Sequence, residues 1–168
     1  MQTISAFKQV DDFTDYCLHG SSIEVKEPKI LLGRFRKDFG DGFYTTRIQS
    51  QAERWAMRKE HSKGRVTSYG LNSNYADLNY KFFAKINDEW LDFVVDCREG
   101  KQHAYDLVEG PMADDQIYNF IESYRTGQIS REDFMLLIKF RYPTHQLCFC
   151  TNKALKHLKF NGSYEVQE

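Results

Sequence analysis

The chain has little proline, no CxxC cysteine spacing, no long apolar run and no excess charge of either sign. Its 23 basic and 24 acidic side chains nearly balance, so charge selects neither a nucleic acid nor an anionic membrane as a partner. No stretch is long and apolar enough to cross a bilayer. The first residues, MQTISAFKQVDDF, have neither the basic nor the apolar region of a secretion signal. We therefore expect a cytoplasmic protein that does not enter a membrane.

The cysteines are few and their spacing is not that of metal ligands. They are Cys17, Cys97, Cys148 and Cys150, and all lie within apolar runs. Such positions suit small buried side chains in a reducing compartment better than disulfides or zinc ligands. We expect no metal site and no disulfide.

Apolar residues are present in sufficient number to form one core. They make up 41% of the 168 residues, and aromatic residues make up 15%. Only three prolines interrupt the chain, and it contains no repeat, low-complexity segment or linker. We expect a single domain over residues 1–168.

Short runs that mix aromatic and β-branched residues predict six strands. These runs cover residues 15–20, 42–46, 65–71, 90–95, 104–110 and 146–150. Strands and helices alternate without a regular strand-helix-strand repeat. The pattern therefore predicts an α+β fold rather than a doubly wound one.

Three helices and a shorter helical turn are predicted between and after these strands. The first begins at Ser50, because Ser50 and Glu53 have the spacing of a capping box. The second follows the Pro111 turn, shows apolar residues at helical spacing and ends at Gly127. The third begins at Ser130. The shorter turn, NKALKHL, follows the strand at 146–150.

Two segments are candidates for contact with a ligand. LHGS, at 18–21, places His19 at a strand end, where it either faces a ligand or is an ordinary turn residue. DFGDGFYTT, at 38–46, has two glycines that allow backbone to pass close to a ligand. Tyr44 and Trp55 can then supply two flat faces. A glycine hairpin followed by a core-facing Trp is the alternative.

The order of these segments resembles the ADP-ribosyltransferase superfamily, in the branch of the poly-ADP-ribose polymerases and diphtheria toxin. A wider pattern comprises HGS at 19–21, GR at 33–34, DFGDGFYTT at 38–46, QAERWA at 51–56, WLDFV at 90–94, GPMADD at 110–115 and QLCFCT at 146–151. This pattern resembles a bacterial family within the superfamily, domain of unknown function family 3990. The resemblance spans Leu18 to Phe160 and implies an ADP-ribosyltransferase-like split β-sheet core with flanking helices.

The resemblance also implies a site for NAD as co-substrate, with breakage of the bond from nicotinamide to ribose. It assigns catalysis to His19, Tyr44 and Gln146. It assigns NAD binding to His19, Gly20, Ser21, Arg34, Gly42, Tyr44, Thr45 and Trp55. By this similarity His19 binds an adenosine-ribose hydroxyl, and Tyr44 and Trp55 lie against the nicotinamide ring. Arg34 or Arg36 either reaches the pyrophosphate or is simply solvated.

The third catalytic position is a glutamine where strongly active relatives have a glutamate. Gln146 keeps a hydrogen bond but brings no charge to stabilise a developing cation. Asp114 or Asp115 either lends a carboxylate or caps the following helix. Asp92 is another candidate, or a solvent-facing residue of an edge strand. We expect His145 to point to the opposite face of the strand.

These observations leave three hypotheses. The first is a mono-ADP-ribosyltransferase that modifies an unknown protein, nucleic acid or small molecule. The second is a protein that binds NAD or ADP-ribose without efficient catalysis. The third is an interaction domain that has lost the site, for instance one half of an operon-encoded pair of proteins.

Overall fold

The computed structural model describes residues 13, 15–32, 37–58, 63–139 and 143–167. The strands in this part of the chain are β1 (Asp15–Ser21), β2 (Phe43–Thr45), β3 (Lys63–Leu71), β4 (Tyr80–Phe82), β5 (Leu107–Gly110), β6 (Gln146–Phe149) and β7 (Leu158–Gln167). The helices are α1 (Gln49–Ala56), α2 (Asp88–Arg98), α3 (Asp115–Arg125), α4 (Arg131–Ile138) and α5 (Asn152–Leu155). This mixture confirms the α+β class.

The strands form two sheets that meet at one point. The first has the order β1-β3-β7 and is antiparallel, and the second has the order β2-β6-β5-β4, in which only β4 and β5 run parallel. The backbones of Leu18 in β1 and Thr46 after β2 exchange two hydrogen bonds, of 2.8 and 2.9 Å. This junction brings the end of β1, with His19, beside Tyr44 of β2.

Alternation along the strands directs side chains into separate parts of the core. Phe43 and Leu147 belong to a buried cluster that joins the two sheets. Their neighbours Tyr44 and Cys148 face the other side of the second sheet, where α2, α3 and α4 contribute to the buried cluster. Helix α1 instead covers the first sheet, with Ala52 among its buried residues.

The strand predicted at 90–95 is wrong, because these residues lie in α2. The helix begins after Asn87, whose side chain accepts a hydrogen bond of 2.9 Å from Trp90 N. A short apolar run fits a strand or a helix equally, and here the cap selects the helix. Asp92 is therefore on a helix rather than an edge strand, and it forms an ion pair of 2.5 Å with Arg131.

The capping box predicted at Ser50 is also wrong. Helix α1 begins at Gln49, its N-cap is Ile48, and no side chain caps it. The motif occurs instead at α4, where the Ser130 hydroxyl accepts from Asp133 N and the Asp133 carboxylate accepts from Ser130 N. The spacing of Ser and an acidic residue alone does not place a helix start, and here Ser50 lies within the first turn of α1 rather than at its N-cap.

Strands β4 and β7 were not predicted. β4 has only three residues and pairs in parallel with β5. β7 does show alternation, with Leu158, Phe160, Tyr164 and Val166 spaced by two or by four, but polar residues and Gly162, at φ 128°, interrupt it. Its pairing with β3, over nine residue pairs, is a long-range contact. Within the described ranges, no helix has both the length and the apolar character to span a membrane.

Candidate functional site

A cleft of about 470 Å³ lies where the two sheets meet. This volume is in the usual range for small-molecule sites, roughly 300 to 1,000 Å³. The predicted residues that line it are His19, Gly20, Ser21, Tyr44, Trp55 and Gln146. They come from β1, β2, α1 and β6, and the fold brings all six to one place.

Other predicted residues lie elsewhere. Thr45 is fully buried, and it is not among the residues that line the cleft. Gly42 is not among them either, and a Cβ there would stand 2.4 Å from Cys148 Sγ, so close strand packing requires this glycine. Arg34 and Arg36 lie outside the described residues.

Gly20 is the point at which α1 touches β1. A Cβ at this position would stand 1.9 Å from the backbone oxygen of Ala52 and 2.7 Å from the backbone nitrogen of Ala56. The absence of a side chain lets the helix approach the strand directly. The close approach holds Trp55, which lies between these two alanines in sequence, at the edge of the cleft.

His19 has a fixed orientation. Its Nδ1 lies 2.7 Å from the backbone oxygen of Tyr44, and its ring centroid lies 4.4 Å from that of Phe43. Burial lowers the pKa of His19, although the hydrogen bond to the Tyr44 carbonyl opposes this. The ring is therefore neutral at pH 7, and because Nδ1 must donate to a carbonyl, Nε2 is an acceptor. His19 is suited to accept a hydrogen bond from a ligand hydroxyl.

Tyr44 offers its ring to the cleft rather than its hydroxyl. The hydroxyl donates to the backbone oxygen of Gly40 at 2.6 Å and accepts from the backbone nitrogen of Phe39 at 3.0 Å. Burial raises the pKa of Tyr44 well above its ordinary value. The Lys37 ammonium lies 4.7 Å from the ring centroid. Tyr44 thus supplies an aromatic face to a cationic or planar group of a ligand. Its hydroxyl is already bonded to the backbone and does not donate a proton to the ligand.

Gln146 contacts a carboxylate that the sequence did not single out. Its Nε2 donates to Asp38 Oδ2 at 3.0 Å, and both side chains are buried and line the cleft. Arg98 forms an ion pair with the other oxygen of Asp38 and also lines the cleft. Asp38 lies within the DFGDGFYTT motif, and a charged residue next to that glycine turn was the available signal. Arg98 could not be found this way, because α2 was predicted as a strand.

The three acidic candidates named from the sequence have different places. Asp114 is the N-cap of α3, and its Oδ1 accepts from Gln116 N at 3.1 Å and Ile117 N at 2.9 Å. Asp115 lines the cleft, is 93% exposed and pairs with Arg58 at 3.1 Å. Asp92 pairs with Arg131 on α4 and is not among the residues that line the cleft.

His145 belongs to a polar network on the face opposite Gln146. Its Nε2 donates to Glu109 Oε1 at 2.8 Å, and its Nδ1 accepts from Arg47 N at 3.2 Å. Tyr80 donates to the second oxygen of Glu109 at 2.5 Å, and the Arg47 guanidinium forms an ion pair with Glu109. Burial alone would raise the pKa of Glu109, but the hydrogen bonds from His145 and Tyr80 and the Arg47 charge lower it. The network ties together elements of the two sheets, since Arg47 also pairs with Asp15 of β1 at 2.8 Å.

Comparison with known proteins gives one finding. A family model described as protein of unknown function (DUF3990) matches residues 16–160. The matched range contains every described residue that lines the cleft. No curated protein and no solved structure matches the chain significantly.

Proposed function

Because the chain belongs to the DUF3990 family of proteins of unknown function, we propose a function from the cleft itself: the protein binds NAD and transfers its ADP-ribose to an acceptor. In this reaction the bond from nicotinamide to ribose breaks, nicotinamide leaves and the acceptor nucleophile bonds to the ribose carbon. The acceptor is a macromolecule or small molecule that remains unidentified.

The observation that carries the proposal is the convergence of residues from distant parts of the chain. The NAD-contacting roles were inferred from LHGS, from GFYTT and from the strand at 146, and the last of these lies at least a hundred residues after the first two. His19, Tyr44 and Gln146 nevertheless line the same cleft, together with Trp55. Turn residues without a common role would not be expected to line the same cleft.

The chemistry of the cleft agrees with a dinucleotide that has one aromatic cationic end. Nε2 of His19 accepts a hydrogen bond from a sugar hydroxyl, as its neutral tautomer requires. The rings of Tyr44 and Trp55 offer faces to a nicotinamide ring, and Lys37 would give up its place over Tyr44 when that ring stacks. Arg58 supplies a guanidinium at the same cleft for phosphate oxygens.

A second candidate is binding of NAD or ADP-ribose without efficient cleavage. It is favoured by Gln146, which carries no charge, and by the ion pair between Asp38 and Arg98, which offsets the nearest buried carboxylate. Loss of a preorganised charge at a cationic transition state lowers a rate on the order of a hundredfold or more. The two candidates share the ligand and differ in turnover.

The test has a binding arm and a turnover arm. NAD at about one hundred times its dissociation constant adds roughly 2.7 kcal/mol to the free energy of unfolding. For a chain of this size that stabilisation raises the melting temperature by about 5 to 10 °C. Turnover is measured as nicotinamide release. Chromatography monitors this release with and without cell lysate as a source of acceptor. Stabilisation without release would support the second candidate, and absence of both effects would refute the proposal.

Trp55→Ala provides a site variant whose ring lies at the edge of the cleft rather than in the core. We expect it to weaken NAD binding by about tenfold, since one aromatic stacking face is worth on the order of 1 kcal/mol or more. Tyr16→Ala is the matched control, because Tyr16 is a partly exposed aromatic residue of β1 that is not among the lining residues. Equal loss of NAD binding in both variants would contradict the assignment of the cleft.

A further inference from the structure

The cleft contains a buried carboxylate and a buried amide in direct contact. Asp38 is 5% exposed and Gln146 is 3% exposed. Besides its bond with Gln146 at 3.0 Å, Asp38 Oδ2 accepts from the backbone nitrogen of Ala113 at 2.8 Å, and Asp38 Oδ1 accepts from Arg98. Asp38 is therefore held from three sides, and Gln146 meets it as a hydrogen-bond donor.

These contacts determine which atom of the Gln146 amide is left for a ligand. An amide nitrogen has two protons. Nε2 of Gln146 donates to Asp38 Oδ2 at 3.0 Å and lies 3.3 Å from the backbone oxygen of Pro111. The reverse orientation would place the amide oxygen against a carboxylate and a carbonyl, neither of which can donate. Oε1 is therefore the atom that Gln146 offers to a ligand, and it can only accept.

We propose that Asp38 is a positioning residue for Gln146, and that the two side chains together take the part of a single acidic residue. The amide oxygen accepts a hydrogen bond from a sugar hydroxyl of the ligand. The carboxylate behind it fixes the amide, and Oδ2, the oxygen that is not paired with Arg98, polarises the amide so that Oε1 presents more negative charge to a sugar carbon on which positive charge develops. The inference rests on the proposed function and deepens it, since it assigns the ribose next to the leaving nicotinamide to this part of the cleft.

The alternative is that Asp38 only stabilises the fold around α2 and α3, through Arg98 and Ala113. The two roles are separable because the acid and the amide can be exchanged between positions 38 and 146. Exchange of acid and amide, Asp38→Asn with Gln146→Glu, keeps one charge, one amide and a hydrogen bond between positions 38 and 146. If Asp38 had a purely structural role, the double variant would have no reason to turn over faster than Asp38→Asn alone.

The experiment compares Asp38→Asn, Gln146→Glu and the double variant for the rate of nicotinamide release and the affinity for NAD. Asp38→Asn keeps a hydrogen-bond acceptor for Gln146 and removes the charge. We expect kcat to fall about 10- to 100-fold, the range observed when a residue that orients a metal-binding side chain is replaced. We expect KM to stay within about threefold of the unaltered value. Gln146→Glu places two carboxylates in contact, and repulsion is expected to lower both turnover and affinity. The double variant is expected to turn over at least tenfold faster than Asp38→Asn, since it restores the negative charge that Asp38→Asn removes.

Arg98 loses its counter-ion in Asp38→Asn and in the double variant alike, so this loss cannot explain a difference between them. Asp92→Asn is the matched control. Asp92, on α2, is also paired with an arginine, Arg131 on α4, but it is not among the residues that line the cleft. Thermal unfolding of every variant gives the folded fraction by which rates are corrected. A double variant no faster than Asp38→Asn, or an unchanged kcat in Asp38→Asn, would overturn the inference.

A measurement on the unaltered protein keeps the inference testable if a variant fails to fold. In nitrogen-15-labelled protein, the Gln146 side-chain amide protons are expected to exchange with solvent more slowly than those of Gln116 on the exposed start of α3. Equal exchange would show that Asp38 does not hold the amide and would overturn the inference. If the unaltered protein neither binds nor cleaves NAD, the proposed function itself fails. If it does and the exchange variant gives no recovery, only the role of Asp38 fails.

Discussion

Substitution of Gly20 by alanine tests whether α1 and β1 jointly shape the cleft. The added Cβ would stand 1.9 Å from the backbone oxygen of Ala52, whereas real contacts of this kind stay above 3.0 Å. The helix must therefore retreat by about 1.1 Å, the difference between these two distances. Both contacting groups are backbone, so no flexible side chain can absorb the displacement.

The expected loss of stability follows from this geometry. Overpacking a well-packed core commonly costs about 1 to 3 kcal/mol. The backbone contact at Gly20 places this substitution at about 3 kcal/mol. A change of 1 kcal/mol shifts the melting temperature of a chain of this size by about 2 to 4 °C, so we expect a fall of about 6 to 12 °C. Because Trp55 lies on the displaced helix, NAD affinity is expected to fall as well.

The assay is thermal unfolding followed by circular dichroism, with NAD affinity measured by calorimetry well below the melting temperature. Gly70→Ala is the matched control in the first sheet, since its Cβ would meet Phe13 Cβ at 2.9 Å and needs a shift of only about 0.1 Å to reach 3.0 Å. We expect a smaller loss of stability and unchanged NAD affinity for the control. A Gly20→Ala protein that melts within about 2 °C of the unaltered protein would refute the close contact of α1 with β1.

The remaining predictions concern the stability of the fold and the reactivity of its thiols. Glu109→Gln is expected to lower the free energy of unfolding by about 3 kcal/mol at neutral pH, because it breaks a buried charged network. The pKa of Glu109 is lowered below 4.5 in the folded protein, so its contribution is present above that pH and lost as pH falls through the folded value. Urea titrations at several acidic pH values should therefore show a flatter pH dependence for this variant, and parallel curves would contradict the network. Asp114→Ala removes the N-cap of α3 and is expected to cost about 1 kcal/mol in a urea titration, whereas Asp115→Ala should leave the midpoint nearly unchanged. Cys150 is expected to react first with iodoacetamide at pH 7, because the Cys148 thiol, with Sγ 3.4 Å away, lowers the pKa of Cys150. Peptide mass spectrometry measures the order of labelling, and earlier labelling of the fully buried Cys148 would be inconsistent with this.

Features that depend on a few neighbouring residues were predictable from the sequence. Asp114 as a helix cap is one such feature, because an Asp before an apolar periodic run satisfies the unpaired N–H groups of the first turn. The stop at Gly127, with φ 75°, is another. The α+β class followed from the same local signals. The error at 90–95 has the same origin, since a run of six residues, five of them apolar, does not distinguish a period of 2 from one of 3.6.

Six residues that line the cleft could be predicted, but the electrostatics of the cleft could not. His19, Tyr44 and Trp55 were brought forward by a strand end and a glycine turn, which mark places where a chain can meet a ligand, whereas Gln146 was brought forward by the family resemblance. Their assembly around one cleft depends on how the sheets join. Only the tertiary structure decided the partner of Gln146, since Asp38 lies 108 residues earlier in the chain. The contact exists because β2, which follows Asp38, pairs with β6, which begins at Gln146, and neither local propensity nor spacing encodes a hydrogen bond across that distance.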